Sequence, residues 1–326
     1  MGIRIAGTGR ALPGRKVTNG ELSTFVDTDD EWIYGKTGIS GRYLCSGESQ
    51  EDLTAQAALN ALGKAKLEPG DIDLVMCTTI GGDYVTPALA CCVSGRLGIE
   101  RPAFDVNAAC TGFVYALDIA ASLVDAGKYA RILIISSEMM SRYVDWNDRR
   151  TCVLFGDGAA ACVVTKGDSL KYIKLTASCN TQVLYLKSKK GNNPFRAIDE
   201  NDKTPSVYEE SFIYMNGQEV YKFAVTACER EITAALETAG LKPEDVKFFL
   251  LHQANKRIID SVRLRMGLGE GRFPVNIGEY SNTSSATIPI LLDELLEAGR
   301  ITAGDIIVLS GFGGGLTTGT CILEWI

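Results

Sequence analysis

Histidine is almost absent from this sequence: 326 residues contain one, His252. Zinc sites draw on several His or Cys ligands at set spacing. The ten cysteines include no Cys-x-x-Cys pair, so no metal site is expected. Basic residues do not dominate either, with 33 Lys and Arg against 40 Asp and Glu and a net charge of −7. That balance excludes a protein that coats nucleic acid, although it leaves room for a local basic patch. No apolar run approaches the roughly 20 residues that span a bilayer. The N-terminus passes straight into a strand-like pattern, Met1-Gly2-Ile3-Arg4-Ile5-Ala6, without the parts of a signal peptide. Cys77, Cys152, Cys162 and Cys321 sit inside apolar runs, and a chain of this length needs no disulfide staples. Reduced thiols and a cytoplasmic location are expected, with no membrane and no nucleic acid as partners.

What is present is ordinary globular material, 46% apolar and 22% charged, enough for more than one core. The chain resembles itself. Leu67-Glu68-Pro69-Gly70-Asp71 and the apolar run through Cys77 are echoed by Leu241-Lys242-Pro243-Glu244-Asp245 and the run through Leu251. Phe104-Asp105-Val106-Asn107 matches Phe273-Pro274-Val275-Asn276, and 131–135 matches 305–309. The closing runs 159–164 and 320–323 also correspond. A repeat this long indicates a duplicated domain, 1–166 and 167–326, with the boundary near Lys166-Gly167-Asp168. The strand-like runs are continuously apolar, which predicts α/β architecture with sheets covered on both faces. Helices are expected over 51–66, 110–126, 217–239, 255–266 and 284–298, and an apolar helix over 84–97. The polar stretch 187–208 reads either as a lid or as a tolerated surface loop.

Four segments carry candidate chemistry. In Asn107-Ala108-Ala109-Cys110-Thr111-Gly112-Phe113, a cysteine follows a buried strand and opens an apolar helix. The helix dipole there favours thiolate, the form that attacks a thioester. The alternative is a packing cysteine. His252 follows the apolar run ending at Leu251, where ligands gather in open α/β sheets, and Asn255 beyond it reads otherwise as a helix cap. In Ser281-Asn282-Thr283-Ser284, Asn282 takes the place in its half that Cys110 takes in the first; otherwise it is a cap. Gly311-Phe312-Gly313-Gly314-Gly315 follows another buried strand and permits close backbone approach, with N–H groups suited to an oxyanion hole.

Together these motifs resemble β-ketoacyl-acyl-carrier-protein synthase III, over essentially the whole chain. Asp29-Asp30-Glu31-Trp32-Ile33, Thr37-Gly38-Ile39 and Phe155-Gly156-Asp157-Gly158 add to the likeness. The resemblance implies a thiolase-like, duplicated α-β-α-β-α five-layered fold with two mixed, mainly parallel sheets. It implies a Cys110 acyl-enzyme formed from acyl-CoA and condensed with malonyl-acyl-carrier protein, releasing carbon dioxide and needing no cofactor. It makes His252 and Asn282 donors to the malonyl thioester carbonyl, gives Cys110 and Gly314 the oxyanion hole, and has Phe312 orient the pocket. For CoA it implies Trp32 and Arg149 around the adenine, with Thr37, Gly217 and Asn255 along the pantetheine. Lys36 stands where arginine is expected, keeping charge without bidentate phosphate binding. Gln218 stands where asparagine is expected. Lys222, Lys256 and Arg257 match the carrier-protein docking region, and Thr86 matches the end of the acyl pocket, reached across a homodimer interface. Rivals are a thiolase, disfavoured because the glycine loop carries no second cysteine, a related acyltransferase or secondary-metabolic condensing enzyme, and a non-catalytic relative.

Overall fold

The computed structural model describes residues 2–188 and 211–326. In chain order the first half carries β1 (Ile3–Ala11), β2 (Arg15–Thr18), α1 (Asn19–Leu22), α2 (Asp30–Thr37), β3 (Gly41–Leu44) and α3 (Gln50–Ala65). It continues with β4 (Leu74–Thr78), α4 (Leu89–Leu97), β5 (Ala103–Val106), α5 (Gly112–Asp125), β6 (Arg131–Met139) and β7 (Asp157–Lys166). The second half carries β8 (Leu170–Ala177), β9 (Leu184–Leu186), β10 (Ile213–Met215), α6 (Gly217–Ala239), β11 (Val246–Leu251) and α7 (Lys256–Arg265). It ends with α8 (Ile277–Tyr280), α9 (Thr287–Glu297), β12 (Ile306–Gly313) and β13 (Thr317–Glu324).

Two sheets result, ordered β1-β7-β6-β4-β5 and β11-β12-β13-β8. Pairing runs β4 parallel to β5 and β6, and β11 parallel to β12. In each sheet one strand, β7 or β13, runs against the others. Alternation of side chains explains why the strand sequences are apolar without interruption. Leu74, Met76, Ile132 and Ile134 face the same core as Phe248, Leu250, Ile307 and Leu309 from the other sheet. Their neighbours Val75, Cys77, Leu133 and Ile135 face a second core under α3 and α4. Phe249, Leu251 and Val308 face a third under α6 and α7. α5 and α9 lie between the sheets, so the order is helix, sheet, helix, sheet, helix. Each buried Leu or Ile side chain contributes on the order of 1.5–3 kcal/mol, and this two-sided burial holds the strand ends, where the chemistry gathers, in place.

Local signals set the helix ends. Ser49 caps α3 in a reciprocal box with Asp52. α6 opens on Asn216, whose side chain accepts from Glu219 N–H, and closes on Gly240 at φ +67°. The helix expected from residue 84 begins only at Leu89. Thr86 precedes Pro87 and is disfavoured in helical conformation, and the Asp105 carboxylate accepts from the Leu89 and Ala90 N–H groups, both at 2.8 Å, fixing the start. Helices expected from 110 and 284 start with single 3-10 turns, Ala109–Thr111 and Ser284–Ala286. The repeat also breaks at one point. Phe104–Asn107 contributes to edge strand β5, whereas no strand is found over 273–276, where Pro274 lacks an N–H for a ladder. Of the stretch 187–208, residues from 189 on lie outside the described ones.

Candidate active site

The ends of β5, β11 and β12 converge on a cavity of about 470 Å³ lined by Cys110, His252, Asn282, Ser284, Phe312 and Gly314, among others. Leu184, Leu186, Ile213, Met215, Val220 and Phe223 give it an apolar wall from β9, β10 and α6. The structure therefore brings together five of the predicted residues around one space of a size suited to a small-molecule substrate.

Cys110 stands in the 3-10 turn just ahead of α5, after Ala109 at φ +47°. The glycine loop passes very close. A Cβ built on Gly313 would lie 2.9 Å from the Cys110 amide nitrogen and 3.1 Å from its Cβ, so only glycine fits. Burial acts against the thiolate that the helix start favours. Burial pushes its thiol up to about 12, partly opposed by a hydrogen bond with Ser284 and reinforced by the nearby Glu138 charge.

His252 follows β11 directly and is buried. Its Nδ1 lies 2.6 Å from the Thr287 hydroxyl, and its ring meets Phe312 edge-on, with centroids 5.1 Å apart. Burial pushes its pKa down to about 3, so the imidazole is neutral at ordinary pH. Asn282 is fixed differently. Its Oδ1 accepts from Ser284 N–H at 2.8 Å, which leaves the amide NH2 as the end free to donate. Its backbone pairs with Leu154 and Gly156, anchoring it against the Phe155-Gly156-Asp157-Gly158 segment.

The equivalence proposed between Asn282 and Cys110 is displaced by three residues. Both turns begin with an asparagine whose Oδ1 accepts from the N–H two residues on, Asn107 to Ala109 and Asn282 to Ser284. Both then place a non-glycine at positive φ, Ala109 at +47° and Ser284 at +51°. Asn107 is thus the partner of Asn282, and Ser285 is the partner of Cys110.

The remaining predicted residues lie outside the cavity wall. On α2, Trp32 carries the Arg149 guanidinium over its ring at 5.3 Å, and Arg149 also donates to the Asp27 carbonyl at 2.7 Å. The two are in direct contact, so a base enters between them only if they part. Thr37 is buried, its hydroxyl donating to Ile33 O and accepting from Ile39 N–H, which commits it to the end of α2. Asn255 caps α7 and donates to Lys36 O at 3.2 Å, while Arg257 donates to Gly35 O at 2.6 Å. Lys256 pairs with Asp260. Lys222 pairs with Glu219 on α6, beside Tyr221, whose hydroxyl meets Ser261 of α7. Gly217 is the exposed first residue of α6, and Thr86 is exposed in the single chain. Sequence reasoning missed Glu138, Ser284 and Thr287, which hold the site from behind.

Among the described residues no helix is long and apolar enough to cross a membrane. Comparison with known proteins is consistent with this architecture. The family model for 3-oxoacyl-[acyl-carrier-protein] synthase III matches residues 104–182, and that for its C-terminal part matches 236–325. A β-ketoacyl-[acyl-carrier-protein] synthase III of Clostridium acetobutylicum is 41% identical over 327 residues, covering 99% of this chain and 98% of that protein. The crystal structure of 3-oxoacyl-[acyl-carrier-protein] synthase III from Aquifex aeolicus superposes with a TM-score of 0.90 at 39% identity, covering 99% of this chain and 100% of that one. A priming β-ketosynthase of the R1128 polyketide pathway reaches 0.90 at 33% identity, covering 99% of this chain and 96% of that one. On that breadth of identity, the chain belongs to the β-ketoacyl-acyl-carrier-protein synthase III family of condensing acyltransferases.

Proposed function

We propose that this protein starts fatty-acid chains by joining an acyl group from acyl-CoA to malonyl-acyl-carrier protein in two half-reactions on Cys110. In the first, the Cys110 sulfur attacks the acyl-CoA carbonyl, the bond to the CoA sulfur breaks, and CoA leaves and is protonated. The Cys110 and Gly314 N–H groups receive the oxyanion. In the second, malonyl-acyl-carrier protein loses carbon dioxide. The enolate carbon attacks the acyl-cysteine carbonyl, and the Cys110 sulfur is released with a β-ketoacyl product.

The observation that carries this reading is the pair of donors across from Cys110. Decarboxylation puts negative charge on the thioester oxygen, and two preorganised neutral donors stabilise it without reorganising. The Asn282 NH2 is already turned outward by its own backbone contact. For His252 to donate through Nε2, its Nδ1 must accept. The Thr287 proton therefore points at Nδ1, the nearer partner at 2.6 Å, rather than at Ser284 O at 3.1 Å. A neutral imidazole serves better here than imidazolium, because it remains a donor without protonating the enolate.

CoA then lies along α2, with its adenine between Trp32 and Arg149 and Lys36 near its phosphates; Asn255 and Gly217 flank the pantetheine. Lys222, Lys256 and Arg257 steer the acidic carrier protein. The protein acts as a homodimer. Edge strand β5 exposes Phe104, and Tyr84 and Val85 beside Thr86 are exposed apolar residues, which is the pattern of a covered interface. Thr86 is expected to close the partner's acyl pocket and, being small, to admit branched or longer starters.

Intact-protein mass spectrometry after exposure to mixed acyl-CoAs, with a Cys110→Ala control, tests the reading. A mass gain on the native protein alone, discharged by malonyl-acyl-carrier protein as a β-ketoacyl product, is the expected result. Discharge of the acyl group without carbon dioxide release would instead establish a plain acyltransferase.

A further inference from the structure

Glu138 stands at the carboxyl end of β6, behind the cavity, and is 1% exposed. Its Oε1 accepts from the Ser284 hydroxyl at 3.0 Å and the Ser285 hydroxyl at 2.8 Å. Its Oε2 accepts from Ile80 N–H at 3.1 Å and the Thr79 hydroxyl at 3.3 Å. The carboxylate thus joins the two halves of the chain where both Ile80 and Ser284 line the cavity. Among the described residues no Lys or Arg pairs with it. A buried carboxylate without a cation is costly, so a purely packing role is a poor explanation for it.

The hydrogen bonds around Ser284 supply a better one. Its hydroxyl donates to Glu138, and its N–H donates to Asn282 Oδ1 at 2.8 Å. One residue therefore ties the carboxylate to the amide. Among the described residues, Ser284 N–H is the only partner of the Asn282 side chain. Ser284 holds φ +51° to stand there, a conformation that persists only where surroundings enforce it. The bonds to Glu138 are charge-assisted, which makes them the strong ones of the set. With Oδ1 held, the Asn282 NH2 is the end left for substrate. With Ser284 released, the amide can turn over and present its oxygen, an acceptor, where the developing oxyanion needs a donor.

We propose that Glu138 is a positioning residue for the decarboxylation half of the reaction: by fixing Ser284, it keeps the Asn282 NH2 turned toward the malonyl thioester. Glu138 touches no substrate and exchanges no proton in this role. It does for Asn282, through Ser284, what Thr287 does for His252 directly. A donor carried by the second half is thereby oriented by a carboxylate carried by the first. The inference rests on the reading that Asn282 donates to the malonyl thioester carbonyl.

Glutamine at this position keeps the shape and reverses half the polarity. Ile80 N–H is backbone and cannot turn, so the glutamine oxygen stays with it and the NH2 faces Ser284 and Ser285. The test is a double-mutant cycle on the release of labelled carbon dioxide from malonyl-acyl-carrier protein by the acyl-loaded protein. Single turnovers are followed at pH 8, where the Glu138 carboxyl, raised by burial to about 7, is ionised. Glu138→Gln should slow release about tenfold, and Asn282→Ala about 10²-fold, the scale of losing one donor. In the Asn282→Ala background, Glu138→Gln should cost less than about twofold more, because no amide remains to misorient. Acylation of Cys110 by acyl-CoA should stay within about twofold of native in Glu138→Gln, since Asn282 serves the other half-reaction. Ser284→Ala cuts the link and keeps a conformation that Ala109 already adopts in the other half. It should show the same loss and the same non-additivity, and it guards against misfolding of the Gln variant. An equal loss in both backgrounds, an acylation rate that falls together with release, or native release in both Glu138→Gln and Ser284→Ala would overturn the inference alone. Native release in Asn282→Ala, or no release by the native protein, would overturn the reading of Asn282 and the inference together.

Discussion

Gly313 lies against Cys110 so closely that a single added carbon would stand 2.9 Å from the Cys110 amide nitrogen. The neighbour is backbone and cannot swing aside. Gly313→Ala should push β12 from the turn that carries the nucleophile. Overpacking of this kind costs on the order of 1–3 kcal/mol. A lowered melting temperature and at least a tenfold slower acyl transfer to Cys110 are expected, and an unchanged acylation rate would contradict this reading.

Removing the group behind the imidazole should separate the two half-reactions. Thr287→Val leaves His252 Nδ1 without its partner at 2.6 Å and frees the ring to take the other tautomer. Condensation with malonyl-acyl-carrier protein should fall by roughly 10²-fold, the scale of losing one such donor, while formation of the acyl-enzyme continues. Single-turnover assays of each half-reaction distinguish the two.

Two buried groups tilt stability with pH in opposite senses. His252 has a depressed pKa of about 3 against 6.5 in the unfolded chain, so the unfolded state gains a proton first as pH falls. Its contribution is present above pH 6.5 and lost towards pH 3, on the order of 4–5 kcal/mol. Glu138 has a raised pKa of about 7 against 4.5, so its contribution is present below pH 4.5 and lost as pH rises through 7. Urea unfolding at pH 5 and pH 8 should show Glu138→Gln sparing about 2–3 kcal/mol of that alkaline loss. Equal pH dependence in the two proteins would refute it.

The carrier-protein surface is tested most cleanly at Lys222, which is exposed and, among the described residues, paired only with Glu219 three residues away. Lys222→Glu should raise KM for malonyl-acyl-carrier protein several-fold, more at low salt, and leave acylation by acyl-CoA unchanged. Lys256 and Arg257 are less suitable, because Arg257 also ties α7 to the end of α2 through Gly35.

The layers and the cysteine–histidine–asparagine site were legible because each residue directly follows a continuous apolar run or opens a helix. What the linear pattern could not carry was anything decided by burial from a distant segment. Cys110 reads as a helix-start thiolate in sequence, and the desolvation that raises its thiol comes from segments distant in the chain. Asn282 pairs with Asn107 rather than with Cys110, an equivalence carried by a shared side-chain hydrogen bond and a shared positive φ two residues on, which the linear pattern does not display. Thr37 reads as a channel residue until its hydroxyl is seen closing α2. Glu138 did leave a signal: it is the one acidic residue at the carboxyl end of β6, after six residues of apolar and small side chains.

The matching turns of the two halves carry one more consequence. Ser285 stands where the nucleophile stands in the other half, but its hydroxyl is bonded to Glu138. Duplication therefore gives this protein a single reaction centre with a division of labour. One copy of the turn presents the sulfur to substrate, and the other holds the carboxylate behind it, so neither half is chemically complete when separated from its twin.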